Sequence, residues 1–166
     1  MRPAPPTSDH PTAIRSGVLR PLDFFYAIAG LVLAPVWARK ARGDWSARFG
    51  AGPALPQPDR PRLMLHAVSV GEVNALRALV PLLADRCDLV ISVGTDTGIA
   101  RARALFAADA TIVRYPLDFS FAVRRFLNRV RPDAVGLVEL EVWPQFVRAC
   151  VRREAPVCVI NGRLSA

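Results

Sequence analysis

The sequence predicts an α/β domain built on a parallel sheet, and two observations carry that prediction. Five short apolar runs alternate with four helix-periodic segments between Arg62 and Ile160. The runs are apolar almost throughout, as strands covered on both faces should be.

The elements follow in order. Arg62–Val68 reads as a strand, and Val73–Ala84 as an apolar-periodic helix. Asp88–Val93 is the second strand and Gly98–Phe106 the second helix. Thr111–Tyr115 is a strand, and Phe119–Val130 a helix ended by Arg131-Pro132, because the residue before a proline is pushed out of the helical region. Ala134–Val138, Gln145–Arg153 and Pro156–Ile160 complete the pattern as strand, helix and strand. Strands joined in this way need right-handed crossovers, which defines a doubly wound, Rossmann-like domain over 62–166. Such a domain normally continues with a further helix, so more chain is expected beyond Ala166.

The segment before this domain differs in composition. Residues 1–20 are proline-rich, polar and basic, and are expected to be a disordered tail. The span 21–50 contains the apolar run Phe24–Ala38, flanked by Arg15, Arg20, Arg39, Lys40 and Arg42. The run is shorter than the roughly 20 residues a spanning helix needs. Gly30 and Pro35 interrupt it, and no small-residue cleavage site follows. Aromatic ends and basic flanks favour a membrane-anchor helix lying in the interface over a short span or a buried core helix. Residues 51–61 are a proline-rich linker.

The formal net charge is +8. Residues 1–62 carry nine basic and four acidic side chains, which points to an anionic surface near the N-terminus. Lys40 is the only lysine. Arginine suits bidentate phosphate contacts, although a genome bias would give the same excess. Cys87, Cys150 and Cys158 form no C-x-x-C pair, and His10 and His66 stand alone, so neither a metal site nor a disulfide framework is expected. A reducing, cytosolic environment fits the free thiols.

Ligands of an open α/β sheet bind beyond the carboxyl ends of the strands, so the strand-to-helix turns are the candidate sites. The first turn, Ser69-Val70-Gly71-Glu72, has one glycine rather than G-x-G-x-x-G, which disfavours NAD or FAD. Gly71 would let a ligand approach the backbone. Glu72 is either a helix-start glutamate favoured by the helix dipole or a general base at the cleft mouth. The second turn, Gly94–Gly98, offers the hydroxyls of Thr95 and Thr97, either to cap a helix or to face an anion. The third carries Glu139 and Glu141, two apart and so on one side of an extended chain; salt bridging to arginines is the alternative use. Trp143-Pro144 then sets the turn into a helix, with Pro144 at its first position. Asp118 reads as a helix cap, and Arg163 as a candidate for a phosphate or carboxylate. Arg124, Arg125, Arg129 and Arg131 read as a solvated helix face, not a nucleic-acid site, for lack of interleaved aromatics.

Taken in order, HAVSVGEVNA, TDTG, YPLD, AVRRFLNRVRPD, VELEVWP and INGRLS resemble the N-terminal domain of the 3-deoxy-D-manno-octulosonic acid (Kdo) transferases of lipopolysaccharide assembly. The resemblance runs from about Phe24 to Ala166 and includes WSARFG at Trp45–Gly50. Gly162 and Gly94 depart from the residues the family favours there. The resemblance implies a two-domain GT-B glycosyltransferase, of which this chain is the acceptor-side half. It implies inverting transfer of Kdo from CMP-Kdo to a lipid A precursor, with no metal or other cofactor needed for transfer. By the same resemblance Glu72 is the general base. Ser69, Gly71, Thr95, Thr97, Glu139, Glu141 and Arg163 fall on motif positions and become the substrate-binding candidates. The expected location is the cytoplasmic face of the inner membrane, with the membrane surface and the lipid acceptor as partners and no nucleic acid. The donor site belongs mainly to the C-terminal domain, so the chain alone is expected to be inactive. The alternative from another class is a non-catalytic membrane-bound module that binds an anionic lipid or a partner protein. A nucleotide-sugar enzyme using NAD is disfavoured by the first turn.

Overall fold

The computed structural model describes residues 44–139 and 142–161. Five parallel strands form one sheet: β1 (Arg62–Ala67), β2 (Asp88–Val93), β3 (Ala110–Arg114), β4 (Ala134–Val138) and β5 (Val157–Ile160). Their order is β3-β2-β1-β4-β5. The chain winds outward from β1 to β3, then returns to the other side of β1 to form β4 and β5. The order reverses between β1 and β4, and the loops leaving these two strands flank the crevice where such sheets take ligands.

Helices cover both faces, because side chains alternate along each strand. Met64, Val90, Val113, Val135 and Leu137 point to one face, under α5 (Ser120–Val130) and α6 (Pro144–Val151). Leu65, Ala67, Leu89, Ile91 and Val93 point to the other, under α2 (Val70–Ala75), α3 (Val80–Leu83) and α4 (Asp96–Phe106). Helix α5 buries Ala122, Val123, Phe126, Leu127 and Val130, one stripe at helical spacing. It ends at Arg131, whose φ of 51° is left-handed, with Pro132 next in the chain.

The single helix expected over Val73–Ala84 is instead two short helices. Leu76, Arg77 and Leu79 donate to carbonyls three residues back, so the intervening turns are tight. Pro81 is the cause: it has no N–H and its ring clashes with the carbonyl four residues earlier. A proline fits only near a helix start, and here it sits in the first turn of α3.

The apolar run Phe24–Ala38, expected to be the membrane-anchor helix, lies outside the described residues. The segment that follows it forms a short helix, α1 (Trp45–Arg48). Among the described residues no helix is long and apolar enough to cross a membrane. Residues 49–61 continue as an extended strap over α5. Leu55 N–H donates to Arg129 O at 3.0 Å. A Cβ on Gly50 would lie 2.1 Å from Ala122 O, so only glycine allows the strap to come this close. Arg129 donates to Ala51 O and Arg131 to Leu55 O. These two arginines therefore clamp the strap; Arg124, Arg125 and Arg131 are exposed, as expected, and Arg129 alone of the four is partly buried. At the N-terminal edge of the sheet, Arg62 is 3% exposed and bonds Asp88, Val130 O and Pro56 O.

Candidate functional site

The turn after β1 opens α2 with a capping box. Ser69 Oγ accepts from Glu72 N–H at 3.2 Å. The Glu72 carboxylate accepts from Val68 N–H at 2.7 Å and from Ser69 N–H at 3.2 Å. The helix start and the strand end are thereby locked together. Glu72 is only 6% exposed, yet it stands at the carboxyl end of β1, beside the point where the strand order reverses. A carboxylate offers about four lone-pair directions and these two amides use two of them. Gly71 lies in the same turn, and a Cβ there would meet only Ser69 Oγ, at an ordinary 3.6 Å. Folding thus does not demand a glycine at this position.

The turn after β2 is tied to the first. Thr95 Oγ1 donates to Val68 O at 2.9 Å and accepts from Gly98 N–H at 3.1 Å. It caps α4 and fastens the Glu72 turn from its other side. A Cβ on Gly98 would lie 2.7 Å from Val93 Cγ1 and 2.8 Å from Thr95 Oγ1, so α4 sits close on the strand end. Thr97 is exposed in the first turn of α4 and takes no part in this tie.

Beyond β4, Glu139 is exposed, with φ of 60° and its N–H donating to Ile160 O at 2.8 Å. A left-handed glutamate is an uncommon way to end a strand. Asn161 ends β5 in the same conformation, at φ 57°. Glu141 and Arg163 lie outside the described residues. Of the eight candidate residues, Ser69, Gly71, Glu72 and Thr95 form one connected rim, Glu139 lies at the end of the neighbouring strand, and Thr97 faces solvent.

Three features of the site were not read from the sequence. Asp118 caps a helix well beyond the one that follows it in the chain. Its carboxylate accepts from Gln145 and Phe146 N–H, at 3.0 and 2.9 Å. These are the first free amides of α6, since Pro144 occupies its first position and Trp143 supplies no capping oxygen. Trp143 before Pro144 was the available signal: a helix opening without Ser, Thr, Asp or Asn must find its acceptor elsewhere. The second feature is His66, fully buried at the end of β1 with its ring stacked on Tyr115 at 3.8 Å. Its Nδ1 lies 3.1 Å from Ser92 O and 3.3 Å from Ser92 Oγ. Burial pushes its pKa from 6.5 down to about 4, the bond to Ser92 O opposing the shift. The imidazole is therefore neutral and structural at pH 7. The third is an Arg48–Asp96–Arg114 cluster on the same rim. Among the described residues, no three His, Cys, Asp or Glu side chains are grouped to hold a metal ion.

Sheet order and turn chemistry together define a Rossmann-like domain in which a carboxylate turn, not a glycine-rich dinucleotide loop, stands beside the reversal of strand order. Residues 43–166 match the family described as 3-deoxy-D-manno-octulosonic-acid transferase (kdotransferase), and the chain belongs to it. A 3-deoxy-D-manno-octulosonic acid transferase of Bordetella pertussis is 36% identical over 159 residues, covering 85% of this chain and 37% of that protein. One of Haemophilus influenzae is 30% identical over 156 residues, covering 86% of this chain and 36% of that protein. A bifunctional glycosyltransferase/methyltransferase of Fusobacterium nucleatum is 32% identical over 111 residues, covering 64% and 17%. The chain thus spans less than two fifths of the length of these relatives.

Proposed function

We propose that this chain is the acceptor-side half of an inverting GT-B transferase that moves Kdo from CMP-Kdo to a lipid A precursor. Glu72 is the general base that takes the proton of the acceptor hydroxyl. What carries the reading is the Glu72 carboxylate itself. Two amides hold it in one orientation at the edge of the switch-point crevice, and part of its accepting capacity is unspent. A base must be held within hydrogen-bond reach of the proton it removes, and a fixed carboxylate meets that demand. Gly71 leaves space beside it. Ser69 and Thr95 act as positioning residues for Glu72, while Thr97, Glu139, Glu141 and Arg163 are proposed contacts for the acceptor or for the second domain. The domain proper is 62–166, with 1–20 as a tail, 21–50 as a membrane anchor and 51–61 as the connector. The anchor holds the protein at the cytoplasmic face of the inner membrane, where a lipid acceptor lies. The donor sugar nucleotide is taken mainly by a C-terminal half, and the 166-residue chain by itself does not turn over.

The test joins this chain to the C-terminal part of the Bordetella pertussis relative and measures Kdo transfer. Glu72→Gln should lower kcat by about 100-fold or more, with the fold intact by circular dichroism. Near-normal turnover of that variant would exclude Glu72 as the base. A second reading has one observation in its favour: the capping box already gives Glu72 a structural task. On that reading the domain binds an anionic lipid without chemistry, and vesicle binding would survive while no variant of the joined protein transferred sugar.

A further inference from the structure

The loop between β4 and α6 is held at both ends, and one of the holds comes from a distant turn. The last pair in register between β1 and β4 is His66 with Leu137. Two residues further on, the chains reach Val68, whose N–H holds the Glu72 carboxylate, and Glu139. Glu139 therefore leaves β4 one strand away from the Glu72 turn. Its φ of 60° is left-handed, a conformation that a glutamate keeps only where the surroundings impose it. On the strand side its N–H is fixed to Ile160 O. On the helix side the loop runs into Trp143-Pro144, which offers α6 no capping oxygen of its own. Asp118, buried at 8% exposure, supplies one by accepting from Gln145 and Phe146 N–H. The same turn after β3 carries Tyr115. Its ring lies 3.8 Å from that of His66, 5.3 Å from that of Phe146 and 6.3 Å from that of Trp143. This turn thus touches the end of β1 and the start of α6 at once.

We propose that Asp118 is a positioning residue for the acidic loop: by fixing the first turn of α6 it holds Glu139 at a set place across from the Glu72 turn. A carboxylate suits the task, because its two oxygens take one amide each. A cap supplied by a residue of the loop itself would move with the loop. A cap supplied from the turn after β3 ties the loop to the sheet on the far side of β1, and Tyr115 ties the same turn to β1 itself. The proposal rests on the reading of Glu139 as a contact for the acceptor or for the second domain. It asks nothing of Glu72 as the base, so either assignment can fail while the other holds.

The experiment has a structural arm and a kinetic arm. In the 166-residue chain, followed by NMR, Asp118→Ala should speed hydrogen exchange at the Glu139 amide by roughly tenfold or more. Ala149→Gly is the control, because it weakens the same helix away from its start. It should change that exchange by less than about threefold. In the protein joined to the C-terminal part of the Bordetella pertussis relative, Asp118→Ala should lower kcat/KM for Kdo transfer by roughly tenfold. Asp118→Asn keeps one accepting oxygen and should recover part of that loss. In a Glu139→Ala background the loss from Asp118→Ala should shrink to less than about twofold, because the group being placed is gone. Equal effects of Asp118→Ala and Ala149→Gly in either arm would overturn the proposal, since general loosening of α6 gives that result. So would an undiminished loss from Asp118→Ala in the Glu139→Ala background. If Asp118→Ala does not fold, Asp118→Asn carries both arms against the same control. A joined wild-type protein that transfers nothing would defeat the transferase reading, while the exchange arm still decides whether Asp118 places Glu139.

Discussion

Lowering the pH should destabilise this domain through His66, by an amount the structure sets. The imidazole is fully buried and neutral, with a folded-state pKa of about 4 against 6.5 in the unfolded chain. Between these values the unfolded state binds more protons, so stability rises with pH. The contribution is complete above about pH 6.5, is lost as the pH falls towards 4, and is flat below. A shift of this size corresponds to about 3 kcal/mol over the whole window. Between pH 7 and pH 5 the same relation gives a loss of about 2 kcal/mol. Against a typical domain stability of roughly 5–15 kcal/mol, that is readily measured by urea unfolding at the two pH values. Carboxylates titrate in the same range, so the quantity to compare is wild type minus His66→Asn. The asparagine amide can still donate to Ser92 O but carries no titrating group. The variant should lack the 2 kcal/mol of pH dependence, whatever its stability at pH 7. If both proteins lose the same amount, or if the His66 ring signals titrate near pH 6.5, the reasoning about burial is wrong.

Other expected outcomes follow from single contacts. Asp118→Ala leaves two buried α6 amides without an acceptor and should cost about 2 kcal/mol in denaturant unfolding. Gly50→Ala forces a Cβ into Ala122 O at a φ of 76°; it should cost more than about 2 kcal/mol and raise hydrogen exchange along the strap. Gly71→Ala should leave stability within about 1 kcal/mol of wild type, yet raise KM for the acceptor if a ligand approaches this turn.

The alternation of elements was legible because both faces of the sheet are covered, which makes each strand a compact apolar run such as LVISV or AVGLV. Strand order was legible only as a class: nothing in the residues of β4 says that it pairs with β1. The helix over Val73–Ala84 was misread because apolar periodicity continues straight through Pro81, and the proline overrides it. The seating of the strap on α5 was not legible for a related reason. Its prolines exclude regular structure, and a segment without regular structure looks like a linker. Yet Gly50, Leu55, Arg129 and Arg131 seat it on α5 through contacts some 70 residues apart in the chain. Local pattern cannot show such contacts. The same limit hid the Asp118 bond to α6 and brought Arg48 unannounced to Asp96 and Arg114. The rim around Glu72 was different, because Ser69, Gly71 and Glu72 are neighbours in one turn.

That locality is also why the role of Glu72 needs a paired experiment. A capping box and a catalytic base place the same residue at the same helix start, so the geometry of this turn suits both. They differ in what Ser69 contributes. If Glu72 serves only the cap, Ser69→Ala removes one arm of a reciprocal pair, and Glu72→Gln keeps one accepting oxygen but gives up one of the two amide bonds. Each should then cost about 1 kcal/mol of stability, with similar and small effects on transfer. If Glu72 is the base, the stability costs stay alike but the kinetics separate. Glu72→Gln loses the proton acceptor and falls in kcat by about 100-fold or more. Ser69→Ala keeps the carboxylate and its bonds from the Val68 and Ser69 amides, and should lose less than about tenfold. Equal losses of turnover from the two variants would make Glu72 a cap alone.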